Sequence, residues 1–450
     1  MSSSSQSLFP AFSQLSDEPK RQAKGWLKLA ILSVALSGVA PLILLAGRAS
    51  LYAEIASIKQ WFVPVLVIHV NLSVGLWFLA MTMMLWRALL PVKLPLVWHG
   101  ASVLSFLLGV VMIVLAPFAG GEAFTSNYIP VQNNPVFFFG LSLILSSLVL
   151  MLGAYLWTLL KQTSEGVIAF MVNGNLLVLL TALACFSFSI MQHPEGYGGE
   201  GYYESIFWAG GHILQFVYVQ IAMIAWLWMA EKLALHLPKI SVIKAAFGLL
   251  TLVACSSPLI FLFVDINSYY HIKFFSWQMN IVTGTIPGLL AAYLLFQLIK
   301  ASSRPAIFWV MLMSLILFLS GGFVGFLIEG SSTVIPAHYH GSTVGVTLAL
   351  MGVAYLLLPV LGGKQVAAWK MAKWQPVLYG VGQLLHVIGF AIAGSEGVGR
   401  KVAGSMEGST ELAQAGMQLV RLGGILAVIG GGLFVLVMLR AWRQKPDQAN

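Results

Sequence analysis

The segment IPAHYHGSTVGVTLALMGVAYLLLP, residues 335–359, places two imidazoles, His338 and His340, one residue apart at the mouth of a run long and apolar enough to cross a bilayer. A spanning helix needs about 20 predominantly apolar residues. Working outward from this run, the sequence supplies eleven more, giving twelve at roughly 25–47, 61–85, 97–118, 136–160, 167–191, 205–230, 240–264, 277–299, 305–328, 337–361, 374–394 and 415–439. Hydrophobic residues make up 59% of the 450 positions and charged residues 9%, with a mean hydropathy of +0.88, which no water-facing globular surface tolerates. The runs are apolar all round with scattered glycines, unlike the polar-apolar alternation of membrane β-barrels. The fold class is therefore all-α and polytopic, with twelve transmembrane helices.

Little remains for soluble domains. Residues 1–24 read as a polar cytoplasmic tail rather than a cleaved signal, residues 25–441 as one membrane domain, and residues 442–450 as a second tail. Cys185 and Cys255 stand alone inside apolar runs with no C-x-x-C spacing, so they read as packing residues. Of the 24 Lys and Arg, eighteen fall in loops on the side of the N-terminus and six on the other side. That bias predicts cytoplasmic termini in a bacterial inner membrane. It also accounts for the net charge of +9, and no basic stripe points to nucleic acid.

With this orientation, even-numbered spans run inward from the outer surface. His69 in the second span and His212 in the sixth then share a depth of about 10–12 Å, at 1.5 Å per residue. His338 and His340 open the tenth span from the same side, and His271 follows the seventh in VDINSYYHIKFF. Helical residues two apart point about 200° away from each other, so His338 and His340 serve two different neighbours. Histidines gathered from several helices at one depth fit a metal or haem iron, although a single intramembrane His more often only bonds a neighbouring helix. His193, His99 and His236 read as loop or interface residues, and His386 as a packed, hydrogen-bonded ring. Asp265 and Glu329 stand at outer helix ends, and the eighth span offers only a sparse polar track, Asn280, Thr283 and Thr285.

AHYHGSTVGVTLALMG resembles the tenth span of subunit I of the haem-copper oxidase superfamily, which includes cytochrome oxidases and bacterial nitric oxide reductases. IHVNLSVGLWFLAM is similar to its low-spin ligand helix, FWAGGHILQFVYVQIAMIAWLWMAEK to the helix carrying the first nonhaem-metal histidine, and GSEGVGRK to a segment with a basic pair. The likeness extends from about residue 60 to 440. It implies that His69 and His340 hold a low-spin haem and His338 a high-spin haem. It further implies that His212, with His271, binds copper or nonhaem iron, and that Arg400 and Lys401 neutralise haem propionates.

The chain departs from that pattern at the nonhaem metal. Two adjacent histidines are usual after the seventh span, whereas here the segment reads SYYHIKFF, leaving His271 preceded by Tyr269 and Tyr270. Two imidazoles with a phenolate from Tyr270 are one expectation for the catalytic metal. A tyrosine four residues after the sixth-span histidine is replaced by Phe216, and the nearest phenol, Tyr218, points about 240° away from His212. The glutamate that nitric oxide reductases carry on this helix is also absent.

The resemblance implies a terminal oxidoreductase subunit of a respiratory chain. Electrons would pass from the low-spin to the high-spin haem and reduce oxygen to water, with nitric oxide as the alternative gas. No C-x-x-C-H site or Cys-rich copper domain is encoded, so a partner subunit, cytochrome c or quinol would deliver electrons. A divergent, non-catalytic haem-binding homologue and a twelve-span transporter are the other two readings.

Overall fold

In a computed structural model of the chain, which describes residues 7–9, 16–47, 56–90, 92–162, 164–193, 198–400 and 409–444, each of the twelve apolar runs is helical. The reason is the solvent. Hydrocarbon offers no partner for backbone N–H and C=O groups, so each segment must satisfy its own. The spans are, in order, Asp17–Leu44, Gln60–Leu89, Leu96–Ala119, Pro135–Leu159, Val167–Gln192, Glu200–Lys232, Ile240–Leu262, Tyr269–Ile299, Ala306–Gly325, Val334–Leu357, Lys370–Ser395 and Glu411–Arg443; they are called spans 1 to 12 below. Their starts carry local signals. Asn134 caps span 4 by accepting from the Phe137 N–H at 2.9 Å, ahead of Pro135, and Thr410 caps span 12 through the Ala413 N–H at 3.1 Å.

Two features depart from the expected boundaries. Span 1 begins at Asp17, inside the segment expected to be a tail, and breaks at Gly38 and Val39 before resuming at Ala40. Residues 7–9 also dock onto the protein. The Ser7 hydroxyl and the Leu8 N–H donate to the Glu231 carboxylate, each at 2.6 Å, and the Phe9 ring stacks on Trp228 at 5.3 Å. A carboxylate at the end of span 6 thus anchors a stretch that composition alone marks as polar and loose.

Neighbouring spans pack as sequential antiparallel pairs, 1 with 2, 3 with 4, 5 with 6, 9 with 10 and 11 with 12, and span 10 also packs on spans 6 and 11. Span 6 is buried along 94% of its apolar window and span 10 along 72%, against 28–56% for the others, so these two form the centre of the bundle. Buried polar side chains tie them to their neighbours: Trp226 Nε1 donates to Ser314 Oγ at 2.8 Å, and Ser314 Oγ to the Gly345 carbonyl at 2.6 Å. Spans 9 and 10 touch backbone to backbone. A Cβ at Gly321 would meet the Ser342 N and Gly341 C, and one at Gly341 would meet Gly321 itself.

Two stretches depart from the α-helical ladder. Residues Asn71–Leu76 in span 2 and Met279–Thr283 in span 8 are wound as π-helix. Such bulges open an extra residue per turn and cluster at functional sites. Between spans 3 and 4, the strands Glu122–Phe124 (β1) and Val131–Asn133 (β2) form an antiparallel hairpin, with Tyr128 at its tip in the left-handed region, φ 67°. Asn71 Nδ2 bonds the Val67 carbonyl at 2.9 Å and the Pro130 carbonyl at 2.7 Å, tying the hairpin to the π-turn of span 2.

Candidate haem site

Four of the five histidines of the expected set, His69, His212, His338 and His340, have their Nδ1 fixed by an oxygen; His271 does not. In span 2, His69 Nδ1 lies 3.1 Å from the Ser37 carbonyl and 3.0 Å from its hydroxyl. In span 10, His338 Nδ1 lies 2.7 Å from the Gly321 carbonyl, a contact that the close approach of spans 9 and 10 permits. In span 6, His212 Nδ1 lies 2.7 Å from the Trp208 carbonyl. A carbonyl only accepts, so Nδ1 carries the proton in all three rings and the lone pair sits on Nε2. This is the tautomer and second partner that metal-bound histidines use. His340 follows the same plan with a side chain, its Nδ1 donating to Gln383 Oε1 at 2.9 Å, while its ring stacks on His386 at 4.8 Å and 5°.

A cavity of about 390 Å³ opens between spans 6, 8, 9 and 10, with His338 on its wall. This lies within the size range of ligand and cofactor pockets. Tyr218, Gln215, Asn280, Thr283 and Thr285 contribute its polar atoms. The sparse polar track of the eighth span therefore faces this space, and the π-turn of residues 279–283 forms part of its wall. Gly288 and Gly322 also line it, and a Cβ built on either meets nothing within 4 Å, so a flat ring can lie directly against the two helix backbones. A tethered imidazole, an apolar chamber and two bare helix faces fit a haem.

The nonhaem metal is a different case. His212 Nε2 accepts from the Tyr128 hydroxyl at 2.8 Å, which occupies the lone pair a metal would need. His271 is fully buried with neither ring nitrogen hydrogen-bonded, but Phe275 packs against both imidazoles, 5.8 Å from His212 and 5.0 Å from His271. Tyr270 is 74% exposed and meets the Tyr269 ring edge-on at 5.9 Å. No group of three His, Cys, Asp or Glu side chains able to hold a metal occurs among the described residues. The residues present do not fit a copper or iron ion here.

Of the expected basic pair, Arg400 donates from Nη1 to Asn127 Oδ1 at 3.0 Å and from Nε to Ser331 Oγ at 3.2 Å; Lys401 lies outside the described residues. Asn127 in turn bonds the Glu204 carboxylate through both its backbone N–H and its side chain. This chain of contacts holds the hairpin tip, and so Tyr128, over His212. Burial, and then the Glu204 charge, push the Tyr128 phenol well above its ordinary value. It stays a neutral donor.

The chain superimposes over 96% of its length on a cryo-EM structure of a haem-copper terminal oxidase dimer, with TM-score 0.73, 16% identity and 85% of that chain covered. The fold is that of haem-copper oxidase subunit I. No family model matches the sequence. Among relatives, the chain is 27% identical to the uncharacterized protein RP382 of Rickettsia prowazekii (strain Madrid E), over 92% of this chain and 94% of that one. It is 28% identical to an uncharacterized protein of Aquifex aeolicus (strain VF5), over 75% of this chain and 84% of the other. On the oxidase-like bundle, the histidines of spans 2, 6 and 10 are the groups that sequence reading singled out. Ser37, Gln383 and Tyr128 are the partners it missed. A Gln at helical spacing three before His386 is a weak signal for the second, and a hairpin-tip tyrosine carries none for the third.

Proposed function

We propose that this protein is a haem-bearing membrane oxidoreductase of the oxidase type, with oxygen as its substrate and nitric oxide as the alternative gas. The observation that carries the reading is His338, its Nδ1 fixed to Gly321 and its ring on the wall of the 390 Å³ cavity. His338 would hold one haem beside that cavity, and His69 and His340 would hold a second. Bound haem supplies one-electron transfer and, where one axial position is open, gas binding. The residues of this chain do the positioning. Ser37, Gly321 and Gln383 fix which nitrogen of each ring is presented, and the two-residue offset of His338 and His340 turns them to opposite sides of one rigid helix. Asn280 and Thr283 give the cavity amide and hydroxyl groups that can hydrogen-bond water or a small polar ligand. An electron-donating subunit, cytochrome c or quinol would serve as partner, and the charge bias of the loops supports cytoplasmic termini.

A second reading is favoured by Phe275 and Tyr128: a homologue that keeps its haems without a nonhaem metal and passes electrons instead of reducing a gas. One set of measurements separates the readings. Reduced protein should show two haems, one shifted by carbon monoxide; His338→Ala should abolish the shift, and His340→Ala should remove the six-coordinate signal. Metal analysis with copper or nonhaem iron near one per chain would favour oxygen reduction, its absence the electron carrier. A colourless preparation would end both readings and return the chain to the transporter class.

A further inference from the structure

Far from the histidine layer, about 27 Å further along span 2 than His69, a buried cation stands without a counter-charge. Arg87 is 0% exposed in the last turn of span 2. Its Nη1 donates to the Val92 carbonyl at 2.9 Å, while Nε and Nη2 are buried without a hydrogen-bond partner. Around it, His99 Nε2 of span 3 and Trp26 Nε1 of span 1 are buried without a partner, and the Tyr155 hydroxyl of span 4 lies against the Arg87 guanidinium itself without a well-formed bond. The guanidinium is near enough for its charge to act on both Tyr155 and His99. The Trp26 ring meets His99 edge-on at 6.3 Å, and Trp86 meets Tyr155 edge-on at 5.6 Å. Trp86 itself is satisfied by Asn175 Oδ1 at 2.9 Å.

Every one of these five atoms can donate a hydrogen bond, and three of them, Arg87 Nε and Nη2 and Trp26 Nε1, cannot accept one. Among the described residues, no carboxylate is hydrogen-bonded to them. Residues 60–159 contain one acidic residue, Glu122, in the hairpin at the other end of the bundle. At the start of span 1, Asp17 is exposed and Glu18 accepts from Gln22 Nε2 at 3.1 Å. A buried charge left unpaired is among the costliest arrangements in a protein, and here several orphaned donors add to it.

We propose that Arg87, Tyr155, His99 and Trp26 form a binding site for one small monovalent anion of the halide class. One negative charge balances one guanidinium, and a spherical acceptor takes N–H and O–H donors arriving from three or four helices. Water would accept some of these bonds, but it has two protons of its own to place and leaves the charge uncompensated. Bound there, the anion joins the ends of spans 1 to 4.

The test uses the full-length protein in detergent, unfolded by heat in chloride, bromide or gluconate at fixed ionic strength and fixed sodium. The midpoint should rise along a saturating curve in chloride and bromide and stay flat in gluconate. Tyr155→Phe, which keeps the ring, and Trp26→Phe, which keeps an aromatic side chain without the N–H, should each raise the half-saturating halide concentration by roughly tenfold, the worth of one hydrogen bond to a charged group. Arg87→Met should lose the halide response altogether. Bromide-soaked crystals should show an anomalous peak beside Nη2. Identical curves in chloride and gluconate, or a halide response that survives in Arg87→Met, would overturn the proposal; so would water in place of the bromide peak.

Discussion

The Tyr128–His212 contact turns on where one proton sits. The Trp208 carbonyl forces the proton of His212 onto Nδ1, so Nε2 can only accept, and the phenol must donate. Tyr128→Phe removes that donor and strands a buried acceptor, which costs about 1–3 kcal/mol. A lowered thermal midpoint in the purified variant is the expected outcome. The pH dependence has a definite sign. An unfolded phenol ionises near about 10, and the folded one is held above that, so its stabilising effect is complete below pH of about 10 and is lost as pH rises through the folded value. Subtracting the alkaline ultraviolet titration of Tyr128→Phe from that of wild type should leave no tyrosinate step near pH 10. Gln383 acts likewise on His340. Gln383→Leu frees the Nδ1–H, and haem retention should fall by roughly 10- to 100-fold, the usual cost of losing a ligand's second partner.

At the scale of elements, the close contact of spans 9 and 10 sets the position of His338. The Gly321 carbonyl reaches its ring because Gly321 and Gly341 let the two backbones meet. Gly341→Val would force them apart at a cost of about 1–3 kcal/mol, the range for overpacking. The expected result is a lower unfolding midpoint together with loss of the carbon monoxide shift, because the tether of His338 moves with the helix. The π-turn after His69 has a comparable place in span 2, held by Asn71 reaching both Val67 and Pro130. The existence of these spans is written in the sequence as apolar length. Their π-turns are not, because winding with one extra residue per turn leaves the hydrophobic pattern nearly unchanged.

For the whole molecule, burial ranks the spans. Spans 6 and 10 are the most shielded, and they carry His212, His338 and His340. Reporter fusions at both termini should place them in the cytoplasm if the basic loops decide insertion, since 18 of the 24 Lys and Arg lie on that side. Apolar length was enough to determine an all-α bundle of twelve spans, and the sequence positions of the histidines how far along each helix they stand, because both depend on rise per residue along isolated helices. Only the tertiary structure decided what each imidazole faces. Phe275 packed against His212, Tyr128 reaching in from a hairpin, and Gln383 crossing from span 11 are contacts between residues 43 to 84 positions apart. Such contacts depend on how helices rotate and pack against one another, a choice made by side-chain shape that leaves no periodic trace in the chain.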